Sequence, residues 1–160
     1  MRRALFPGSF DPVTKGHENV VVRGTAMFDE IVVAVGRHRA KKGLFSVEER
    51  VAMLEATFAA YPSVRVVSYD GLTADFCHSV GAEFQLRGVR NAVDLNYEQT
   101  LAHMTRAMHP QLDTVVLLTD PELASIHSTV VRDVLAHGGD VTPFVPQAAM
   151  PWMTSKQAQG

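Results

Sequence analysis

The stretch FPGSFDPVTKGH, residues 6–17, follows a short apolar run, RALF (3–6), and leads into HENVVVRGTAMF (17–28), which has helical spacing. Its two glycines, two prolines and hydroxyl side chains suit neither a packed strand nor a helix interior. Thr14 to His17 place a turn of small residues before a histidine in the first turn of a helix, where free backbone N–H groups and the helix dipole attract an anion. The stretch is therefore either an ordinary helix start or a phosphate-binding loop.

Outward from this stretch, short apolar runs alternate with amphipathic segments along the chain. The pattern predicts strands at 3–6, 30–36, 64–69, 83–88 and 114–119. It predicts helices at 17–28, 46–61, 73–81, 93–109 and 128–139, with Ser46 and Glu49 forming a capping box at the start of the second. This alternation predicts a single α/β domain over residues 1–160, a doubly wound parallel five-stranded sheet of the Rossmann-like kind. The tail from about residue 147 is expected to be irregular or a short helix.

Composition limits the classes of protein that the chain can be. With 160 residues, 46% of them hydrophobic and 20% charged, it is long enough for one folded domain. A formal net charge of -2 provides no basic field for nucleic acid, and the single cysteine, Cys77, rules out an internal disulfide. No apolar run approaches the length of a signal peptide or a membrane span. We therefore expect a cytoplasmic protein that binds neither nucleic acid nor membrane.

Three further loops follow predicted strands and so should meet the first loop at one edge of the sheet. RHRAKK (37–42) has five basic residues in six, RGVR (87–90) has two arginines around a glycine, and SIHST (125–129) offers hydroxyl groups and free amides at a helix start. Taken singly, each also fits a solvated loop or a plain helix cap. Together they predict a pocket for a polyphosphate and a second anion. Neither G-x-x-x-x-G-K-[ST] nor G-x-G-x-x-G is present, which argues against a P-loop NTPase and an ordinary dinucleotide-binding fold.

The segments PGSFDPVTKGH, KKGLF, LRGVR, DLNYEQTLAHM and STVVRDV, in this order, resemble the bacterial phosphopantetheine adenylyltransferase family over nearly the whole chain. The resemblance implies the nucleotidyltransferase fold marked by the (H/T)-x-G-H motif, here Thr14 to His17. It also implies transfer of AMP from ATP to 4'-phosphopantetheine, giving dephospho-coenzyme A and pyrophosphate in coenzyme A biosynthesis. Further implications are Mg²⁺ bound with ATP and without a dedicated cluster of protein ligands, a homohexamer, and feedback by coenzyme A.

The residue types fit this reaction. A phosphate monoester is already an anionic nucleophile, so its direct in-line attack on the α-phosphorus of ATP needs no general base and no covalent intermediate. Catalysis then consists of positioning and electrostatic stabilisation, which a helix-start histidine and the basic side chains of several loops can supply. No histidines, cysteines or acids have zinc-ligand spacing, and Cys77 falls in a predicted amphipathic helix, which is typical of a core residue.

The resemblance also implies roles for individual residues. It places His17, Lys41 and Arg90 in catalysis, with Lys41 chosen over Lys42 because the family's lysine lies four residues before a phenylalanine, here Phe45. ATP binding is implied for Ser9, Phe10, His17, Gly88, Val89, Arg90, Glu98, Leu123, Ala124, Ser125, Ile126, His127, Ser128 and Thr129. Binding of 4'-phosphopantetheine is implied for Ser9, Lys41, Thr73 and Arg87, and no residue is implied as a metal ligand.

Three residues depart from the family's pattern. Leu123 stands where many members have an aromatic residue, Thr105 replaces an asparagine common in the long helix, and His127 takes the place of a serine. Two alternatives stay open. One is a sister enzyme, a glycerol-3-phosphate cytidylyltransferase or a nicotinate mononucleotide adenylyltransferase, although the R-T-x-G-[IV]-S-T-T element usual in the cytidylyltransferases is absent. The other is a catalytically idle nucleotide-binding protein, against which the intact histidine, lysine and arginines argue.

Overall fold

The computed structural model describes residues 1–37 and 42–159 of the chain. Five strands form one parallel sheet in the order β3-β2-β1-β4-β5. They are β1 (Arg3–Gly8), β2 (Glu30–Gly36), β3 (Val64–Tyr69), β4 (Phe84–Val89) and β5 (Asp113–Leu118). The chain winds outward from β1 in one direction and then, through β4, in the other, which confirms the predicted doubly wound sheet. Such a sheet opens a ligand crevice where the winding reverses, at the carboxyl ends of β1 and β4.

The helices flank both faces of this sheet. They are α1 (Lys15–Gly24), α2 (Val47–Thr57), α3 (Thr73–Ser79), α4 (Ala92–Met108), α5 (Ser128–Ala136) and α6 (Met150–Gln159). Successive strand residues point to opposite faces, so Phe6 and Val33 join a large core with α1, α2, α5 and α6, whereas Leu5 and Val32 join a smaller core with α3. Within residues 1–37 and 42–159, no helix has both the length and the apolar character that crossing a bilayer requires.

Two boundaries at the start of the chain differ from the sequence prediction. β1 does not stop at residue 6 but continues through Pro7 and Gly8, which pair with Ala34 and Val35 of β2. α1 begins at Lys15 and not at residue 17. Both changes shorten the first loop and bring the start of α1 close to the end of β1.

Candidate active site

A cavity of about 400 Å³ lies at the carboxyl edge of the sheet, between the ends of β1 and β4 and the first turns of α1, α4 and α5. Segments that follow three different strands contribute to its wall. Nine residues predicted for the site line it, namely His17, Arg87, Gly88, Arg90, Glu98, Ile126, His127, Ser128 and Thr129. The first loop, RGVR and SIHST therefore meet around one space.

Other predicted residues lie away from this wall or outside the description. Ser9 is exposed, and its carbonyl oxygen accepts a hydrogen bond from Arg50 over 3.0 Å. Thr73 begins α3, with its hydroxyl 2.7 Å from that of Tyr69. Lys41 lies outside the described residues. The cavity wall does not include Ser9, Phe10, Thr73, Val89, Leu123, Ala124 or Ser125, whose roles toward a ligand stay predictions.

The hydrogen bonds of His17 define which ring nitrogen can act in the cavity. Thr14 caps α1 and His17 stands at its third position, so the two form a capping box. The Thr14 backbone N–H donates to Nδ1 of His17 over 3.0 Å, and the Thr14 hydroxyl lies 3.2 Å from the same nitrogen. Because Nδ1 accepts from a backbone donor, the hydrogen of the neutral ring is on Nε2. His17 is therefore arranged to donate a hydrogen bond through Nε2.

The surroundings of His17 keep its imidazole neutral. Burial of the ring, and after it the positive charges of Arg87 and Arg90, lower its pKa from 6.5 to about 4. Phe6 and Phe10 pack edge-on against the ring, with centroids 6.3 Å and 5.0 Å away. A neutral N–H donor in a partly buried cavity can stabilise negative charge as it develops on a phosphate.

Phe10 supports His17 through a backbone conformation that residues other than glycine rarely adopt. Its φ of 50° lies in the left-handed region, where strain costs about 1–3 kcal/mol. The conformation directs the ring into the core, where it is 2% exposed. A Cβ on Gly8 would lie 2.9 Å from that ring. Packing of Phe10 therefore requires glycine at position 8, and the packed ring in turn helps to fix the imidazole of His17.

Arg87 points to the face of β4 opposite Leu86 and meets α4. Its Nε and Nη2 donate to the two carboxylate oxygens of Glu98 over 2.8 Å and 2.7 Å, and its Nη1 donates to the Pro7 carbonyl over 3.0 Å. The Glu98 side chain is only 8% exposed. A bidentate pair of this kind has fixed geometry as well as strength. Glu98 thus orients Arg87. The contact of Glu98 with ATP stays a prediction.

Arg90, which follows β4, is held by Asp94, one helical turn before Glu98 on α4. Its backbone N–H and Nε both donate to Oδ2 of Asp94 over 3.0 Å, and its Nη1 donates to the Ile126 carbonyl over 3.2 Å. Burial alone would raise the pKa of Asp94. The hydrogen bonds from Arg90, with the charges of Arg90 and His127, outweigh that effect and hold the pKa below its usual value. Asp94 therefore remains ionised beside Arg90.

The start of α5 presents backbone donors to the cavity. His127 is its N-cap residue, and no side chain caps the helix. The Ser128 hydroxyl donates to the Pro12 carbonyl over 2.9 Å, and the Thr129 hydroxyl accepts from Arg132 over 3.2 Å. The backbone N–H groups of this first turn are therefore left for a ligand, and together with the helix dipole they favour an anion such as phosphate.

Asp11 joins the first loop to Leu44 and Phe45, which follow the basic loop in sequence. Its side chain is buried, and its two carboxylate oxygens accept from the backbone N–H groups of Leu44 and Phe45 over 2.9 Å and 2.8 Å. Arg132 of α5 donates to the Asp11 carbonyl over 2.7 Å. Asp11 thus joins three parts of the chain that are distant in sequence, and sequence reasoning assigned it no role.

Sequence reasoning also assigned no role to Asp94, Tyr97 or Thr119, which line the cavity. Asp94 had a usable signal, since it stands four residues after Arg90 in the first turn of a helix, where an acid is favoured. Thr119 had none, because it directly follows β5 and enters the wall only through the pairing of β5 with β4.

The described side chains form neither a metal-binding cluster nor a reactive thiol. Across residues 1–37 and 42–159, no group of three histidine, cysteine or acidic side chains is placed to hold a metal ion. The carboxylates of Asp94 and Glu98 already engage arginines. Burial raises the pKa of the Cys77 thiol to about 12, so Cys77 is a core residue and not a nucleophile.

Comparison with known proteins identifies the class to which this fold and cavity belong. The model of the Cytidylyltransferase-like family matches residues 5–134. A solved structure from Vibrio parahaemolyticus, provisionally assigned as a nicotinate-nucleotide adenylyltransferase, superposes with a TM-score of 0.72 over 96% of this chain and 99% of its own, at 15% identity. That level of identity speaks for the fold alone. The fold is that of a nucleotidyltransferase.

Two curated relatives define the family more narrowly. A phosphopantetheine adenylyltransferase of Flavobacterium johnsoniae is 48% identical over 148 residues, which cover 92% of this chain and 97% of the relative. One of Levilactobacillus brevis is 43% identical over 156 residues, which cover 98% and 97%. The chain belongs to the phosphopantetheine adenylyltransferase family, as its sequence motifs predicted.

Proposed function

We propose that this protein transfers AMP from ATP to 4'-phosphopantetheine, giving dephospho-coenzyme A and pyrophosphate. The observation that carries the proposal is the neutral His17, whose Nδ1 accepts the Thr14 N–H and whose Nε2–H is left for the cavity that Arg87 and Arg90 also line. Family membership supports the substrates, since the curated relatives carry the name phosphopantetheine adenylyltransferase.

The reaction that fits this arrangement is direct in-line transfer. An oxygen of the phosphopantetheine phosphate attacks the α-phosphorus of ATP while the bond to the leaving pyrophosphate breaks. His17 cannot serve as a base, because its free ring nitrogen carries the hydrogen, and the attacking phosphate needs none. The Nε2–H instead donates to the α-phosphate oxygens, on which charge increases in the transition state. No covalent intermediate is required.

The two arginines suit two different anions. We assign Arg90, Gly88 and the first turn of α5 to ATP, because Arg90 contacts the Ile126 carbonyl next to that turn. We assign Arg87 to the phosphate of phosphopantetheine. In the described wall each arginine is matched by a carboxylate, so the basic loop, including Lys41, would supply the excess positive charge that two anionic substrates need. Mg²⁺ would arrive on the phosphate oxygens of ATP, and none of the described side chains is assigned to it.

We also propose that the protein assembles with copies of itself in the cytoplasm, as a homohexamer on the family resemblance. Helix α4 supports the assembly, because Val93, Tyr97 and Met104 are 79%, 62% and 61% exposed and Leu95 and Met108 are also exposed. A helix with this many exposed large apolar side chains favours a protein contact. Feedback by coenzyme A is a further expectation, since coenzyme A, like the product dephospho-coenzyme A, would share the pantetheine and nucleotide contacts.

The experiment that tests the function measures pyrophosphate release with three acceptors. We expect release from ATP with 4'-phosphopantetheine and none above background with nicotinate mononucleotide, nor with glycerol 3-phosphate when CTP replaces ATP, which separates this activity from the sister enzymes. Replacement of the Nε2–H donor in His17→Ala should lower kcat by about 10²–10³-fold with little change in ATP affinity, the scale of one lost oxyanion donor. Absence of release with phosphopantetheine would refute the proposal and favour an idle nucleotide-binding protein.

A further inference from the structure

Asp94 holds two parts of Arg90 at once. Its Oδ2 accepts from both the backbone N–H and the Nε of Arg90 over 3.0 Å, and its Oδ1 lies 3.5 Å from Nη2. Asp94 is itself fixed, because its backbone N–H donates to the side chain of Asn91, the N-cap of α4. The rigid start of α4 therefore sets the position of one edge of the guanidinium.

This edge decides where the rest of the guanidinium points, because the group is planar. With Nε and Nη2 turned toward Asp94, Nη1 reaches the Ile126 carbonyl over 3.2 Å. Ile126 immediately precedes His127, the N-cap residue of α5. The contacts thus run from Asp94 through Arg90 to the loop that presents the first turn of α5 to the cavity. One N–H on each of Nη1 and Nη2 is not used by these bonds.

Charge and geometry make opposite predictions for Asp94. Its carboxylate lies in the cavity wall and is ionised, so as a charge alone it repels a triphosphate and cancels part of the attraction of Arg90. Removal of a purely electrostatic Asp94 would then tighten ATP binding. If Asp94 matters because it aims Arg90 and steadies the Ile126 loop, its removal weakens ATP binding. The sign of the change therefore separates the two roles.

We propose that Asp94 is a positioning residue for nucleotide binding, which acts through Arg90 to orient the guanidinium and the start of α5 toward the triphosphate. The proposal rests on the proposed function in taking ATP as the ligand of this cavity. It goes beyond that function by assigning a carboxylate, with no contact to substrate, to the recognition of an anion.

The test compares Asp94→Asn and Asp94→Glu with Asp113→Asn. Asparagine keeps the shape but turns an N–H₂ group toward Arg90, whereas glutamate keeps the charge and its interaction with the helix dipole but displaces the carboxylate. Asp113 pairs with Arg106 at the surface, 3.6 Å apart, and its replacement changes the net charge by the same amount. ATP affinity is measured by calorimetry, and the KM values for both substrates by pyrophosphate release.

We expect both Asp94 variants to weaken ATP binding between about 10- and 100-fold, the scale of a misplaced binding group, with the KM for phosphopantetheine within about twofold of the natural value. Asp113→Asn should leave both unchanged. Rescue by Asp94→Glu would show a role in charge or helix stability only, and unchanged or tighter ATP binding in Asp94→Asn would show an electrostatic bystander. Either result overturns the proposal.

A double-mutant cycle with Arg90→Lys tests whether Asp94 acts through the arginine. We expect Asp94→Asn to add at most about a twofold loss of ATP affinity in the Arg90→Lys background. Independent, multiplying losses would mean that Asp94 contacts ATP or its metal directly, which also overturns the proposal. Calorimetry needs no turnover, so a protein that binds ATP without releasing pyrophosphate refutes the proposed function while the affinities still decide the role of Asp94. Absence of ATP binding by the natural protein refutes both.

Discussion

A neutral His17 makes the stability of the protein depend on pH in a way that one substitution should remove. The pKa of the ring is lowered from 6.5 to about 4 in the folded protein. Between these two pH values the unfolded chain binds a proton at this histidine that the folded protein does not. The free energy of unfolding therefore falls as pH falls through this window, and it has its full value above pH 6.5. The total effect is about 3 kcal/mol, of which about 2 kcal/mol is lost between pH 8 and pH 5.

The informative variant is His17→Gln, because glutamine at the third helical position also forms a capping box with Thr14. It removes the titrating ring and keeps the helix start. His137→Gln, which replaces a 78% exposed histidine, is the matched control for the loss of one imidazole. Free energies of unfolding are measured by urea denaturation at pH 8 and pH 5, at one protein concentration, so that any self-association is the same in all samples.

The natural protein and the His137→Gln control should lose about 2 kcal/mol more than His17→Gln between the two pH values. Other groups titrate in the same range, but they are common to all three proteins and cancel in the difference. An equal loss in the natural protein and in His17→Gln would show that the ring is not held neutral, and the donor role derived from the Thr14 contact would fall with it.

Two further predictions concern binding and turnover. Lys41→Ala should lower kcat by about 10²-fold, as expected for the loss of a charge between converging phosphates. Lys42→Ala should change kcat by no more than about twofold. Equal effects would contradict the assignment of Lys41 from sequence spacing. Arg87→Lys should raise mainly the KM for phosphopantetheine and Arg90→Lys mainly the KM for ATP, each by about tenfold, because lysine cannot form the bidentate contact. If steady-state kinetics show that both variants raise the same KM values, the two arginines do not serve two separate anion sites.

Local sequence patterns were sufficient for most of the architecture. The β-branched runs predicted β2 at 30–36 and β3 at 64–69 with their observed bounds. The capping box of Ser46 and Glu49 formed as predicted at the start of α2. Such features depend on neighbours within four or five residues, so they can be predicted directly from the local sequence. The alternation of strands and helices then leaves few topologies, of which the doubly wound parallel sheet is the observed one.

The sequence also determined the family and the segments of the chain that meet at the candidate site. The first loop, RGVR and the start of α5 were predicted to meet because carboxyl ends of parallel strands share one edge, and this requires no knowledge of side-chain positions. Motif order alone predicted membership of the adenylyltransferase family, which the curated relatives confirm.

Only the tertiary structure decided which contacts each side chain at that edge makes. Arg87 and Glu98 are eleven residues apart, and the Nη1 of Arg90 meets a carbonyl 36 positions along the chain. The glycine at position 88 was predicted only as an ATP-binding residue, yet a Cβ there would also lie 2.8 Å from Val20 of α1. Pairings of this kind depend on strand order, helix packing and rotamers together. Which arginine N–H groups are free, and which nitrogen of His17 carries the hydrogen, is therefore settled by contacts between segments that the linear sequence keeps apart.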